Sequence, residues 1–255
     1  IPTPAQVSLT GLNRVPTPTP MPMVRTPSPT PPPPTPTPTA VPSGLVLGKY
    51  EVCTGVAVGL TYDGTHIWVT CASSLVRLDP DDGTVLNTYG LDFAPGNLTY
   101  GGGSLYIASN FGESLMVYNP KDGARTSTIA VGESQKSVAY DGSFIWVTGI
   151  FTGNVKKIRP SDGAIVFTKT PCKDKCVYLA FDGKDTWALG SDRQLRRLNP
   201  IDAFVMEQIP SAVASAMVFD GDNFRNVTTD GAFDGKHIWS LGIGDASGTV
   251  FKTAK

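Results

Sequence analysis

From residue 44 onward, short apolar runs alternate with turns rich in Gly, Asp and Pro, and the alternation is periodic. A Pro-x-Asp-Gly-like turn recurs at Pro80-Asp81-Asp82-Gly83, Pro120-Lys121-Asp122-Gly123, Pro160-Ser161-Asp162-Gly163 and Pro200-Ile201-Asp202-Ala203, at a spacing of 40 residues each time. Each is preceded by an aromatic–(Asp/Gly)–Gly turn: Tyr62-Asp63-Gly64, Tyr100-Gly101-Gly102, Tyr140-Asp141-Gly142 and Phe181-Asp182-Gly183. A fifth copy is Phe233-Asp234-Gly235. Five residues beyond the Asp, or beyond Gly101, stands a large aromatic: Trp68, Tyr106, Trp146, Trp187 or Trp239. All the tryptophans of the chain fall in this one slot, which therefore reads as core rather than as a stacking platform.

Each repeat divides into four short strands. In the third copy the pattern predicts strands over 137–140, 144–148, 154–159 and 164–169, with Gly taking positive φ in the turns and Pro presetting their first position. Four strands per repeat of this length, set radially, predict a β-propeller blade. No stretch holds a 3.6-residue period, so the fold is all-β. The last repeat stops after a third strand, near Thr249–Lys252, while the body begins with a fourth, near Leu45–Tyr50. Pairing the two closes a five-bladed ring and removes two exposed sheet edges. The interval from Trp187 to Trp239 is longer than the others, at 52 residues. With the duplicate Phe219-Asp220-Gly221, it predicts an inserted loop over 217–230.

Residues 1–43 are different in kind. They hold 15 of the 22 prolines, two charges (Arg14 and Arg25) and no acidic residue. Proline fixes φ and biases its predecessor toward extended conformations. Residues 16–42 thus predict a stiff polyproline II rod of roughly 80 Å at ~3.1 Å per residue. A propeller of 44–255 has a diameter of only roughly 45 Å. Ahead of the rod, Gln6-Val7-Ser8-Leu9-Thr10-Gly11-Leu12 alternates like a strand. The expectation is two regions: an extended arm over 1–43 that packs on another molecule, and a propeller over 44–255. The arm's docking residues would include Val7, Leu9, Leu12, Pro16, Pro18 and Pro20.

The net charge of −1 leaves no electrostatic footprint for nucleic acid. No apolar run reaches the ~20 residues of a membrane-spanning helix, so no membrane insertion is expected. The turn aspartates Asp63, Asp141, Asp182 and Asp234 could form an acidic rim for a hard cation such as Ca²⁺. Hairpin-turn chemistry explains them without metal, and no metal or cofactor is expected. No nucleophile elbow is present. Residues 242–248 are Gly-rich but lack the Lys-Ser/Thr of a phosphate loop. The predicted inner strands over 60–62, 98–100, 138–140 and 179–181 carry no charge, so the channel is expected to offer no general acid or base.

The repeat Tyr140-Asp141-Gly142-Ser143-Phe144-Ile145-Trp146-Val147-Thr148, and its counterpart over 62–70, resemble bacterial YVTN-type and streptogramin B lyase-like propeller repeats across essentially all of 44–255. That resemblance implies the propeller architecture. The lyase of the family implies a catalytic His and a Mg²⁺-binding Glu, and no residue here matches that motif. His66 and His237 share one slot two residues before the Trp, which marks a blade position, so no catalytic residue is expected.

Cys53 and Cys71, and Cys172 and Cys176, are placed for local disulfides, with zinc as the alternative. An even count and local pairs favour an oxidising, extracellular compartment. A chain starting at Ile1 without Met fits removal of a secretory leader. Asn97 and Asn226 are formal N-glycosylation positions, Asn226 the better placed. Thr17, Thr19, Thr35, Thr37 and Thr39 are candidates for O-linked sugars. Together these predict a secreted, non-enzymatic structural protein that polymerises with other copies of itself through its arm. The alternative is a propeller that binds glycan or protein on a glycosylated stalk.

Overall fold

The computed structural model describes residues 46–254 except 212–215, 223, 228–229 and 243–247. All regular structure among the described residues is strand. β1 (Val46–Glu51) precedes four complete blades. Blade 1 is β2 (Ala57–Tyr62), β3 (Ile67–Cys71), β4 (Ser74–Leu78) and β5 (Val85–Gly90). Blade 2 is β6 (Pro95–Gly101), β7 (Ser104–Ser109), β8 (Ser114–Tyr118) and β9 (Arg125–Ala130). Blade 3 is β10 (Gln135–Tyr140), β11 (Ile145–Gly149), β12 (Val155–Ile158) and β13 (Ile165–Lys169). Blade 4 is β14 (Cys176–Phe181), β15 (Thr186–Gly190), β16 (Gln194–Leu198) and β17 (Val205–Pro210). A hairpin follows, β18 (Ala216–Phe219) and β19 (Phe224–Val227). Blade 5 is β20 (Gly231–Phe233), β21 (His237–Leu241) and β22 (Thr249–Ala254), with β1 as its fourth strand. The five four-stranded antiparallel sheets form a ring, a five-bladed β-propeller.

The closure is as the sequence predicts. β1 pairs antiparallel with β22, with Tyr50 opposite Val250 and Glu51 opposite Thr249. The stretch predicted as an inserted loop is instead the β18–β19 hairpin. Its turn is the duplicate Phe219-Asp220-Gly221, and β18 lies between β14 and β20 in the inner ring. It is the first half of a blade, lacking third and fourth strands among the described residues.

Within a blade the strongest recurring device is a three-residue constellation. The turn aspartate accepts the indole N–H of the tryptophan five residues on: Asp63 from Trp68, Asp141 from Trp146 and Asp182 from Trp187, each at 2.7 Å, and Asp234 from Trp239 at 2.8 Å. Its other oxygen caps two backbone N–H groups of the same turn, as in Thr65 and His66 at 2.7 Å. Opposite each tryptophan on the third strand stands a cation: Arg77, Lys157, Arg197 or Lys252. Three of these reach carbonyls of the Pro-x-Asp turn in the following blade. Arg77 donates to Lys121 O (3.2 Å), Lys157 to Pro200 O (2.7 Å) and Lys252 to Pro80 O (2.7 Å). The tryptophans are fully buried between blades, and the cations latch one blade to the next.

Blade 2 departs at all three positions together. Gly101 replaces the aspartate, Tyr106 the tryptophan and Val117 the cation. With no indole N–H to satisfy, no acceptor is needed. The Gly101 position is filled from the next blade, since a Cβ there would lie 2.1 Å from the Tyr140 ring. Tyr140 stacks on Tyr106 with centroids 6.3 Å apart.

Candidate functional site: the channel layer

Six innermost strands, five from blades and β18 from the hairpin, surround a cavity of about 220 Å³. The slot immediately before each turn is always aromatic, and Tyr62, Tyr140, Phe181, Phe219 and Phe233 line one part of the cavity. The slot four residues before the turn never repeats. It reads Gly59, Asn97, Ser137, Tyr178, Ala216 and Asp230 around the ring.

Asp230 is the hub of this layer, with only 1% of its surface exposed. One carboxylate oxygen, Oδ2, accepts the Leu60 N–H and the Asn97 side-chain amide, each at 2.6 Å. The other, Oδ1, accepts the Tyr178 hydroxyl. Asn97 passes the network on, its Oδ1 accepting the Val138 N–H at 3.2 Å. Ser137 does the same for the Leu179 N–H at 3.1 Å, and Thr61 for the Tyr100 N–H at 3.2 Å. Innermost strands have one edge with no neighbouring strand, so their N–H groups need acceptors. Here side chains of the preceding blade supply them. Gly59 has no side chain because the Asn97 backbone lies 2.8 Å from where its Cβ would sit.

Burial pushes the Asp230 carboxyl up to about 7, against the hydrogen bonds from Tyr178, Leu60, Gly231 and Asn97 that favour its ionised form. Burial, and then the neighbouring Asp230 charge, hold the Tyr178 phenol well above its ordinary range. Asp230 is the one carboxylate among the cavity's described lining residues. All its acceptor directions named above are occupied, so the layer acts as a hydrogen-bonded brace holding β2, β6 and β14 to blade 5, with one group able to gain or lose a proton near neutrality.

The expectation of a channel without ionisable groups is therefore corrected. Asp230 lies just ahead of the shortest inner strand, in a stretch assigned to a loop. The signal that would have revealed it is the repeat register itself, read four residues before Asp234. Asn97 is also corrected as a glycosylation position. It is buried and its amide nitrogen, the atom a glycan would occupy, donates to Asp230 inside the channel. Asn226 falls on β19, its side chain outside the described residues. Val7, Leu9, Leu12, Pro16, Pro18, Pro20 and the five arm threonines also lie outside them.

The cysteines pair as expected, Cys53 with Cys71 and Cys172 with Cys176, with Cα–Cα distances of 5.7 and 5.4 Å. The turn aspartates do hairpin and indole capping. No cluster of three or more His, Cys, Asp and Glu suited to a metal occurs among the described residues. The two histidines sit beside turn aspartates, His237 Nδ1 at 3.3 Å from Asp234 and His66 Nδ1 at 3.7 Å from Asp63.

No family model matches this chain, and no curated protein matches it in sequence. Solved structures match its fold. The β-propeller domain of Cps50 (Swd1) from Myceliophteria thermophila aligns with a TM-score of 0.57 and 9% identity, over 78% of this chain and 83% of that one. Glutaminyl cyclase from Myxococcus xanthus aligns with a TM-score of 0.58 and 13% identity, over 81% of this chain and 94% of that one. At such identities the likeness shows the architecture alone.

Proposed function

We propose that this protein is an extracellular structural module that assembles with other copies of itself, its Pro/Thr-rich residues 1–43 docking on a neighbouring propeller. The observation that carries this reading is the character of the rim. β1, to which residues 1–43 are joined, is the outermost strand of blade 5. In four blades exposed apolar side chains stand at or next to the start of the outer strand: Val46 and Leu47, Val85 and Leu86, Ile165 and Val166, and Phe204 with Met206. Blade 4 adds Ile201, so its outer turn presents Ile201 and Phe204 at 81% and 69% exposure where the other blades carry Asp, Lys, Ser, Thr or Ala. Apolar patches left on a rim suit protein contacts. A head-to-tail contact need not close and so builds filaments. The two disulfides support an oxidising, extracellular setting.

The test compares full-length protein with a variant lacking residues 1–43, by negative-stain electron microscopy and sedimentation. Filaments from the full chain and monomers from the variant are expected. Equal assembly of both overturns the reading. The aromatic part of the cavity, lined by Tyr62, Tyr140 and Phe181, favours a second reading, a propeller that binds a glycan or protein and carries residues 1–43 as a stalk. Under it the truncated protein would keep its binding and the full chain would stay monomeric.

A further inference from the structure

We propose that β18–β19 is an unfinished sixth blade, and that a strand from residues 6–12 of a second copy completes it by pairing with the free edge of β19. This inference rests on the assembly reading above and names the place where the arm docks.

Three observations point to the hairpin. It is built as the first half of a blade: β18 takes an inner-ring place beside β14, and Phe219-Asp220-Gly221 repeats the aromatic-Asp-Gly turn. Asp220 caps the Asp222 N–H at 3.0 Å, as Asp63 caps that of Thr65 at 2.7 Å. In every complete blade the second strand pairs on both sides, as β3 does with β2 and β4. Among the described residues β19 pairs with β18 alone, in the register Ala216–Val227 to Phe219–Phe224. A free strand edge is a template for another strand.

The latch cation of blade 4 gives independent support. Arg77, Lys157 and Lys252 each reach the outer turn of the blade that follows. The unit following blade 4 is the hairpin, which has no outer turn among the described residues. Arg197, in the same slot, keeps only own-blade partners among the described residues, Asp185 at 3.3 Å and Glu207 at 3.2 Å, whereas Arg77 and Lys157 add the next-blade carbonyl to theirs.

The occupant follows from the arm's composition. Added strands need backbone N–H groups, and proline has none. Within residues 1–43 the stretch 5–15 is the one Pro-free run longer than four residues. It contains the Val7/Leu9 alternation of a strand with one apolar side. The Pro-rich residues 16–42 predict a stiff spacer of roughly 80 Å, long enough for residues 6–12 to reach a neighbouring copy.

Hydrogen exchange on the full-length protein tests this, read at the Phe224–Val227 amides in assembled samples and in samples diluted to monomers. Assembly should slow the β19 amides that face away from β18 by at least about tenfold. The double variant Val7→Pro, Leu9→Pro, which removes two N–H groups from the strand, should abolish that slowing. Filaments whose β19 exchanges as fast as in the monomer would overturn this docking place and leave the assembly reading intact. Protection that persists in dilute monomers would overturn the second-copy origin of the strand. Failure of the full chain to form filaments at all would overturn both.

Discussion

Asp230 makes the propeller's stability depend on pH in an unusual direction. Its carboxyl is pushed from 3.8 up to about 7 by burial, so folding favours the protonated form. The sign follows from linkage. An acid raised in the folded state contributes stability fully present below its unfolded value, near pH 4, and lost as pH rises through its folded value. At ~1.4 kcal/mol per pH unit of difference, the full loss is roughly 4 kcal/mol, of which roughly 3 falls between about pH 5 and pH 8. That is a large share of the ~5–15 kcal/mol that holds a domain folded. The perturbation is Asp230→Asn, which keeps the shape and stays neutral. Its oxygen can accept the Leu60 and Asn97 donors, and its amide can donate to the Tyr178 oxygen once that hydroxyl turns. Carboxylates such as Glu133, Asp192 and Asp234 are held below their ordinary values, so their contributions are already present by about pH 5 and stay flat above it. Urea unfolding from pH 5 to pH 8 should show the native protein losing roughly 3 kcal/mol more than the variant. Parallel stability curves for the two proteins would refute a buried, uncharged Asp230.

Three further outcomes follow from the repeat. Asp141→Ala removes acceptors for the Trp146 indole at 2.7 Å and for the Ser143 and Phe144 N–H groups at 2.9 and 2.6 Å. Urea midpoints should record a loss of about 2–3 kcal/mol, and a loss under about 0.5 would contradict the capping role. Replacing Cys53 and Cys71 by Ala should cost about 3 kcal/mol and replacing Cys172 and Cys176 about 2, since the first pair closes a loop of 18 residues and the second one of 4. Thermal melts that reverse this order would contradict the chain-entropy account. Ala203 holds φ at +58° where the other three blades place Gly. Ala203→Gly should therefore raise stability by about 0.5–1 kcal/mol, the relief of left-handed strain less the added unfolded-chain entropy.

The architecture was legible because its signals recur. Asp-Gly turns, a tryptophan at fixed offset and a terminal fourth strand each state the same period. The closure of β1 on β22 could be read from where the repeats begin and end. The channel was not legible by the same means, since its chemistry sits in the one slot where repeats disagree. Asp230 precedes a three-residue strand too short to announce itself by alternation. Asn97 carries a glycosylation sequon that the fold contradicts, because sequence pattern does not report burial. The hairpin was misread as a loop because Arg225 stands where a blade would place its tryptophan, and no Pro-x-Asp-Gly turn follows.

Departures from the repeat differ in kind, and the difference bears on function. Blade 2 changes its aspartate, tryptophan and cation together, and Tyr140 of the next blade fills the space over Gly101. That substitution is self-contained and leaves nothing exposed. The departures running from blade 4 to Asp230 are not compensated in this way. Ala203 accepts backbone strain in a glycine slot, Ile201 and Phe204 stand in solvent, and among the described residues Arg197 meets no outer turn of a following blade and β19 pairs on one edge only. Each lowers the stability or solubility of an isolated propeller. The departures from blade 4 to Asp230 thus lack the internal compensation that blade 2 carries, which is the pattern expected of a sector used for contact. On the proposed assembly, a neighbouring chain covering that surface would offset the cost.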